Sequence, residues 1–454
     1  MISRKSLSSI AKRLNAELFN GDCQFQSVST DSRAMKAGEL FVALKGDNFD
    51  AHDYLRQVAD SGACGLVVER ENRELAIPQL KVADTTLALG GLASSCREDF
   101  SGKVAAITGS SGKTTVKGLL ANILSCSGKV HATRGNLNNQ IGVPLTLLEI
   151  EPGNDYLVME LGASAAGEIA YLVNIVQPDV VVVNNVMPAH IEGFGSLEGV
   201  AAAKAEIYQP LGKPVKAVVN LDDRFATGWL ASLDANSVST FSLANETADF
   251  WAGSVLETEN GSQFTLNTPD GSVSVTLGLL GRHNVANALS ACACASALGA
   301  GIVDMQMGLQ SFQAVAGRMK NCAGINGSRI IDDTYNANPG AVRAAIDVLV
   351  SQGEQSTFVL GDMGELGPNA AELHRELGEY AKQAGLAQLV TVGDLSAQAS
   401  EAFGSGARHF PNRESAIDYL KGSVMSGDVI LVKGSRSARM ENVVVAMTNR
   451  GEKQ

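Results

Sequence analysis

The stretch Lys103–Thr115, KVAAITGSSGKTT, constrains this chain more than any other. A short apolar strand empties into a loop carrying Gly109 and Gly112, and Lys113, Thr114 and Thr115 then open the helical run VKGLLANIL. Backbone N–H groups of Gly109, Ser110, Ser111 and Gly112 can point at phosphate oxygens, and the helix N-terminus adds a favourable partial charge. That dipole is worth only about 0.3–1 kcal/mol. A triphosphate therefore also needs Lys113 and a hydroxyl-bound Mg²⁺. Ile107 stands where the commoner phosphate loop has its first glycine, which leaves the shorter form T-G-x-x-G-K-T-T. A Gly/Ser turn that merely starts a helix is the competing reading. Strand, glycines, lysine and two threonines in this order favour an ATP or GTP site.

Apolar strands recur on both sides of this loop. LFVAL (40–44) and CGLVVE (64–69) precede it, and YLVMEL (156–161), VVVVNNV (180–186) and AVVNLD (217–222) follow. The alternation restarts with RIIDD (329–333), TFVLGD (357–362), QLVTVG (388–393) and VILVKG (429–434), with helices expected near 340–350, 370–385 and 414–421. Continuous apolar strands between helices indicate parallel sheets covered on both faces. The expected fold is α/β in three domains: a small α/β domain over 1–84, a central nucleotide-binding domain over 85–316, and a C-terminal Rossmann-like domain over 317–454. Residues 245–278 alternate polar with apolar and contain TPDGS, which predicts an antiparallel hairpin appendage.

With 45% hydrophobic and 19% charged residues, the 454-residue chain has an ordinary globular composition. No apolar run reaches the roughly 18–20 residues that span a bilayer. The N-terminal twenty residues interrupt their apolar positions with charge, unlike a signal peptide, so the cytoplasm is the expected compartment. Seven scattered cysteines suit reduced thiols better than zinc or disulfides. A net charge of −12 argues against nonspecific nucleic-acid binding and leaves anionic ligands to local lysines, arginines, helix ends and metal.

Ligands of open parallel sheets sit outside the carboxyl ends of the strands. Glu160 ends one such strand, where it can serve Mg²⁺ or stand as a solvated acid. His190 follows the VVVV strand through a proline turn and reads as structural or functional; Lys204 in GVAAAKAEIY reads, taken alone, as a surface lysine. Asn138 and Asn139 are turn formers first and ligand donors second. Arg318, at the expected domain boundary, can reach a γ-phosphate or form an interdomain ion pair. Asp333 is placed to accept from a ribose hydroxyl or a lysine. Asn284 and Asn287 share a helical turn that can face a base edge.

Together these segments are far more specific than any of them singly. TGSSGKTT (108–115), GNLNNQIGVPLTLL (135–148), MELGA (159–163), AHIEGFGS (189–196), AAKAEI (202–207), GRHNVANAL (281–289), AGRM (316–319), DDTYNANP (332–339), VLGDMGELG (359–367) and VKGSRS (432–437) resemble, in collinear order, the ATP-dependent Mur ligases of peptidoglycan synthesis. Within that family they are most similar to the branch that joins D-alanyl-D-alanine to UDP-N-acetylmuramoyl-tripeptide. STDSR (29–33) and GELFVALKGDNFDAHDY (38–54) resemble its UDP-sugar-binding domain, which puts Ser32 and Arg33 at the sugar nucleotide.

The resemblance implies that Lys113 and Thr114 hold the triphosphate and a first Mg²⁺, with Glu160 and His190 completing its ligands. It implies a carbamylated Lys204 on a second Mg²⁺, Asn287 at the adenine, Arg318 at the phosphates and Asp333 at the ribose. Asn138, Asn139, Asn336 and Asn338 are the candidate substrate contacts. Ala205 stands where the family commonly has glycine beside that lysine. The implied protein is a monomeric, cytoplasmic ligase of cell-wall synthesis that forms an acyl phosphate before the amine attacks. A sister ligase adding one amino acid, a folylpolyglutamate synthetase-like enzyme and a noncatalytic nucleotide switch are the alternatives. The sister's Asp-Asn-Pro-Arg motif does not occur.

Overall fold

The computed structural model describes residues 1–46, 48–188, 191–209, 211–353 and 355–448. Three sheets organise the chain. The first has five strands in the order Glu17–Phe19, Gln79–Lys81, Gly65–Val68, Leu40–Val42 and Val28–Ser29, parallel except at the Glu17–Phe19 edge. Phe41, Leu66 and Val68 pack on one face, while Leu40, Val42 and Val67 join the core shared with the next sheet. Helix Thr85–Glu98 carries that shared core, capped by Asp84 through Thr86 and Leu87 N–H. Its Arg97 is buried and donates to the carbonyls of Val176, Gln177 and Phe100 at 2.7–2.9 Å. The guanidinium thereby satisfies the free carbonyls that end helix Glu168–Val176 and ties the first sheet to the second.

The second sheet runs Val130–Ala132, Tyr156–Glu160, Lys103–Thr108, Val180–Val183, Lys216–Asn220, Val238–Ser242, Phe250–Thr258, Gly261–Thr268 and Gly271–Leu277. Its first seven strands are parallel and its last two antiparallel. The expected hairpin appendage is therefore corrected: Phe241 pairs with Phe250 and Ser242 with Trp251, so the hairpins extend the central sheet. The polar/apolar alternation has a plain cause. Phe250, Phe264, Leu266, Val275 and Leu277 face the core that includes helix Arg282–Ala297, and the intervening residues face water.

The third sheet is Lys320–Ala323, Arg329–Asp333, Val429–Lys433, Ser356–Gly361, Gln388–Val392 and Ala407–Phe410, parallel but for the first edge strand. Helices Pro339–Ser351, Ala370–Gln383 and Arg413–Ser423 stand where the sequence places them. Strands Val130–Ala132, Val238–Ser242, Lys320–Ala323 and Ala407–Phe410 were not foreseen, being short or poor in consecutive apolar residues. No described helix is long and apolar enough to cross a membrane.

Candidate active site

The carboxyl ends of the second and third sheets open onto one cleft of about 1510 Å³. Its floor is the phosphate loop. Gly112, at φ 78°, caps helix Lys113–Leu124, and a Cβ there would lie 2.3 Å from Asn287 Oδ1. Glycine is required by both conformation and space. Asn184 and Asn185 shape the loop from the neighbouring strand end. Ser111 N–H donates to Asn185 Oδ1 at 2.9 Å, and both asparagine amides donate to the Ser111 carbonyl at 3.0–3.1 Å. Ser110 is tied to Asn185 and Met187.

Lys113 donates to the Gly109 carbonyl at 2.7 Å. It is open to the cleft but walled by protein, so desolvation lowers its pKa; Glu160 opposes that shift and Arg318 adds to it. The Thr114 hydroxyl donates to Glu160 Oε2 at 3.0 Å and accepts from Arg318 Nη2 at 3.0 Å. Glu160 is only 2% exposed. Burial pushes its carboxyl up, but Lys117, Lys113 and the Asn138 amide outweigh that and hold it below the ordinary value. The Lys117 ammonium lies 3.1 Å from Glu160 Oε2, and Asn138 Nδ2 donates to Oε1 at 2.8 Å.

Lys204 is 2% exposed, with Nζ 5.9 Å from the Phe194 ring and no hydrogen-bond or ion-pair partner among the described residues. Desolvation, and then the nearby Lys113 charge, lower its pKa to about 7. A half-neutral buried amine at physiological pH is unlike the surface lysine that the local sequence suggests. His190 lies outside the described residues. Among those described, no three His, Cys, Asp or Glu side chains form a metal cluster. A hydroxyl beside one buried carboxylate nevertheless suits Mg²⁺, which binds through one or two carboxylates and substrate phosphates.

The third sheet supplies the opposite wall. Asp332 Oδ2 accepts from Gly317 N–H at 2.9 Å and Asp333 Oδ1 from Met319 N–H at 3.3 Å, so the AGRM turn is pinned to a strand tip. Arg318 between them stacks its guanidinium 3.9 Å from the Tyr335 ring centroid. Asp333 pairs with buried Lys433 at 2.5 Å, leaving it at the cleft but already partnered. Asn287 is committed to the interior: it accepts from Asn184 at 2.8 Å and donates to Asn284, whose own amide returns to the Leu280 carbonyl. Asn284 lines the cleft as well, its amide bound to the Leu280 carbonyl just before helix Arg282–Ala297 and its oxygen to Asn287 within it. Asn139 accepts from Ile141 and Gly142 N–H, and Asn338 caps helix Pro339–Ser351 through Ala341 N–H. Asn336 accepts from Ala337 N–H while its carbonyl receives Lys433. All four candidate asparagines, Asn138 included, line the cleft, as does Thr115.

Ser32 and Arg33 do not line it. Arg33 is exposed and paired with Asp31 at 2.8 Å. A second pocket of about 320 Å³ lies instead at the separate two-stranded pair Lys45–Gly46 and Phe49–Asp50, bounded by Lys45, Gly46, Phe49, Asp50, Asp53 and Tyr54. Phe49 and Tyr54 are both exposed, with ring centroids 6.3 Å apart and planes 25° apart. Sequence reasoning missed this aromatic pair, and it missed Lys117. The latter had a signal: Lys113 and Lys117 sit four apart on one helix face.

Three family models match the chain. They are "Mur ligase family, catalytic domain" over residues 24–95, "Mur ligase middle domain" over 107–295 and "Mur ligase, glutamate ligase domain" over 317–436. The UDP-N-acetylmuramoyl-tripeptide–D-alanyl-D-alanine ligase of Escherichia coli is 44% identical over 98% of this chain and 99% of its own length. Among solved structures, MurF from Acinetobacter baumannii superposes with a TM-score of 0.92 at 37% identity, covering 98% of both chains. MurF from Thermotoga maritima in complex with ADP gives 0.83 at 30% identity, covering 92% of this chain and 96% of that one. With this likeness extending over nearly its whole length, the chain belongs to the Mur ligase family.

Proposed function

We propose that this protein is an ATP-dependent ligase that joins D-alanyl-D-alanine to UDP-N-acetylmuramoyl-tripeptide through an acyl phosphate. The observation that carries the reading is one cleft holding a phosphate loop, a Thr114 hydroxyl bonded to buried Glu160 and an arginine brought to it from the third sheet. Support for this choice of substrates comes from the E. coli relative and from the absence of Asp-Asn-Pro-Arg in DDTYNANP. A noncatalytic switch would have no use for Glu160, Lys204, Arg318 and Asp333 around one loop.

In the proposed reaction the tripeptide carboxylate attacks the γ-phosphorus of ATP, and ADP leaves with the β–γ bridging oxygen. The dipeptide amine then attacks the acyl carbonyl, loses a proton and expels inorganic phosphate. Loop amides and Lys113 hold the triphosphate, and Arg318 offsets the charge that gathers when two anions meet. Thr114, Glu160 and a carbamylated Lys204 would hold Mg²⁺, which when bound neutralises phosphate charge. His190 completes the proposed ligand set from the sequence alone. Carbamylation is supported by a buried amine whose pKa is lowered to about 7, so that a substantial neutral fraction is present at that pH. Asp333 is assigned to the ribose and Asn287 to the adenine end, each through a small adjustment of its present partners.

The division at residues 84 and 316 is retained, with one substrate assigned to each domain. The Phe49–Tyr54 pocket suits a flat pyrimidine base against aromatic faces, with Lys45 beside it for a diphosphate. It replaces Ser32 and Arg33 as the favoured sugar-nucleotide contact. A monomer working in the cytoplasm completes the proposal.

Phosphate release from ATP with Mg²⁺ and both substrates, omitting each in turn, tests it. Release that requires both and accompanies pentapeptide formation is the expected result. Release indifferent to D-alanyl-D-alanine would return the choice to a sister ligase or a switch.

A further inference from the structure

We infer that His374 is a positioning residue for the amine acceptor: its neutral imidazole fixes the loop Asp362–Gly367 as one wall of the subsite that receives it. The inference rests on the ligase reading above and adds where the acceptor sits and what holds that place in shape. His374, on helix Ala370–Gln383, is 0% exposed. Its Nε2 accepts from Met363 N–H at 3.0 Å, so the ring proton is on Nδ1, which donates to the Ala370 carbonyl at 2.7 Å. Burial lowers its pKa, while the Ala370 bond and Asp362 pull the other way.

The loop needs such an anchor. Glu365 sits at φ 60° and Gly367 at φ 67°, and a left-handed non-glycine persists only where its surroundings over-determine it. Four hydrogen bonds hold its start. His374 takes Met363 N–H, Ser396 N–H donates to Asp362 Oδ1 at 2.7 Å, and the Ser435 hydroxyl and N–H donate to the Asp362 carbonyl at 2.7 and 3.0 Å. Gly364, Glu365 and Leu366, just beyond the anchor, line the large cleft beside Arg436 and Arg439. Arg439, and Arg436 with its exposed pairing to Glu441 at 3.3 Å exchanged, suit the free carboxylate of a zwitterionic dipeptide. The phosphates are accounted for by the loop around Lys113 and the base by Phe49 and Tyr54, which leaves this corner for the third reactant.

His374→Phe keeps the buried ring and removes the acceptor for Met363 N–H; His374→Gln keeps an acceptor. The measurement is kcat and KM for each of the three substrates. The Phe variant is expected to raise KM for D-alanyl-D-alanine about tenfold, with the other two within about twofold and the Gln variant recovering most of the loss. An unchanged acceptor KM, or an equal rise for all three substrates, would overturn the inference. Should the Phe variant fail to fold, hydrogen exchange on the wild-type enzyme decides. With a nonhydrolysable ATP analogue and UDP-N-acetylmuramoyl-tripeptide present, adding D-alanyl-D-alanine is expected to slow exchange in 362–367, and no slowing refutes the assignment. A wild-type enzyme that makes no product from D-alanyl-D-alanine retires the ligase reading and this inference together. A working enzyme with an indifferent His374 retires only the latter.

Discussion

Arg318 donates to the Thr114 hydroxyl at 3.0 Å, across 204 positions of sequence, and so brings the third sheet's turn onto the nucleotide loop of the second. The contact is held at both ends. Asp332 and Asp333 pin the backbone on either side of the arginine, and Tyr335 stacks on its guanidinium. Thr114 in turn faces Glu160. A charge supplied from the other side of a cleft, and fixed before substrate arrives, is the arrangement that stabilises phosphoryl transfer without reorganisation.

Arg318→Ala is expected to lower kcat by about 10²–10³ while the protein stays folded. Arg318→Lys keeps the charge but loses the planar fork and the stacking, and recovers only part of that loss. Steady-state kinetics with a melting curve for each variant checks both statements.

Gly112→Ala tests the floor of the site. The new Cβ would sit 2.3 Å from Asn287 Oδ1 and 2.7 Å from Asn184 Nδ2, at a φ that disfavours any side chain. A stability loss of about 1–3 kcal/mol and a nucleotide affinity at least about tenfold weaker are expected. Denaturant melts and ADP titration measure the two effects separately.

Lys204 links stability to pH. In the folded protein it releases its proton near pH 7, whereas its ordinary value is 10.5. Between those values the unfolded chain binds more protons, so stability rises with pH across that window. Lys204→Met is expected to remove this slope, raise the melting temperature at pH 7 and abolish ligation. A melting series from about pH 7 to pH 10.5, the window between the two values, reads the slope. Mass spectrometry of the native protein in bicarbonate buffer is expected to show one added carbon dioxide that Lys204→Met lacks.

Tyr54→Ala and Phe49→Ala each remove one face of the small pocket beside strands Lys45–Gly46 and Phe49–Asp50. Each is expected to raise KM for the UDP substrate about fivefold to tenfold with kcat and the KM for ATP little changed, as loss of an aromatic stacking surface predicts.

Much of this was legible because parallel sheets gather polar residues at their carboxyl ends. Glu160, Asn184, Asp333 and Lys433 each close an apolar strand, and all four line the cleft. The lysines were harder. Nothing local to GVAAAKAEIY distinguishes a surface helix from one whose lysine is sealed from water, because burial of Lys204 is set by tertiary packing. Asn338 carries a second, local signal. Asn followed by Pro is a helix-start signal, and its side chain caps the helix it opens while still lining the cleft. The hairpin strands were recognised by their alternation, but their attachment was not, since a parallel pairing between Phe241 and Phe250 leaves no trace in periodicity.

The most direct test of the central claim follows one oxygen. UDP-N-acetylmuramoyl-tripeptide labelled with heavy oxygen in its terminal carboxylate would be turned over with ATP, Mg²⁺ and D-alanyl-D-alanine, and the released phosphate analysed by mass. Attack of that carboxylate on the γ-phosphorus places one labelled oxygen in the inorganic phosphate for each pentapeptide formed. Pentapeptide accompanied by unlabelled phosphate, or phosphate released without pentapeptide, would contradict it.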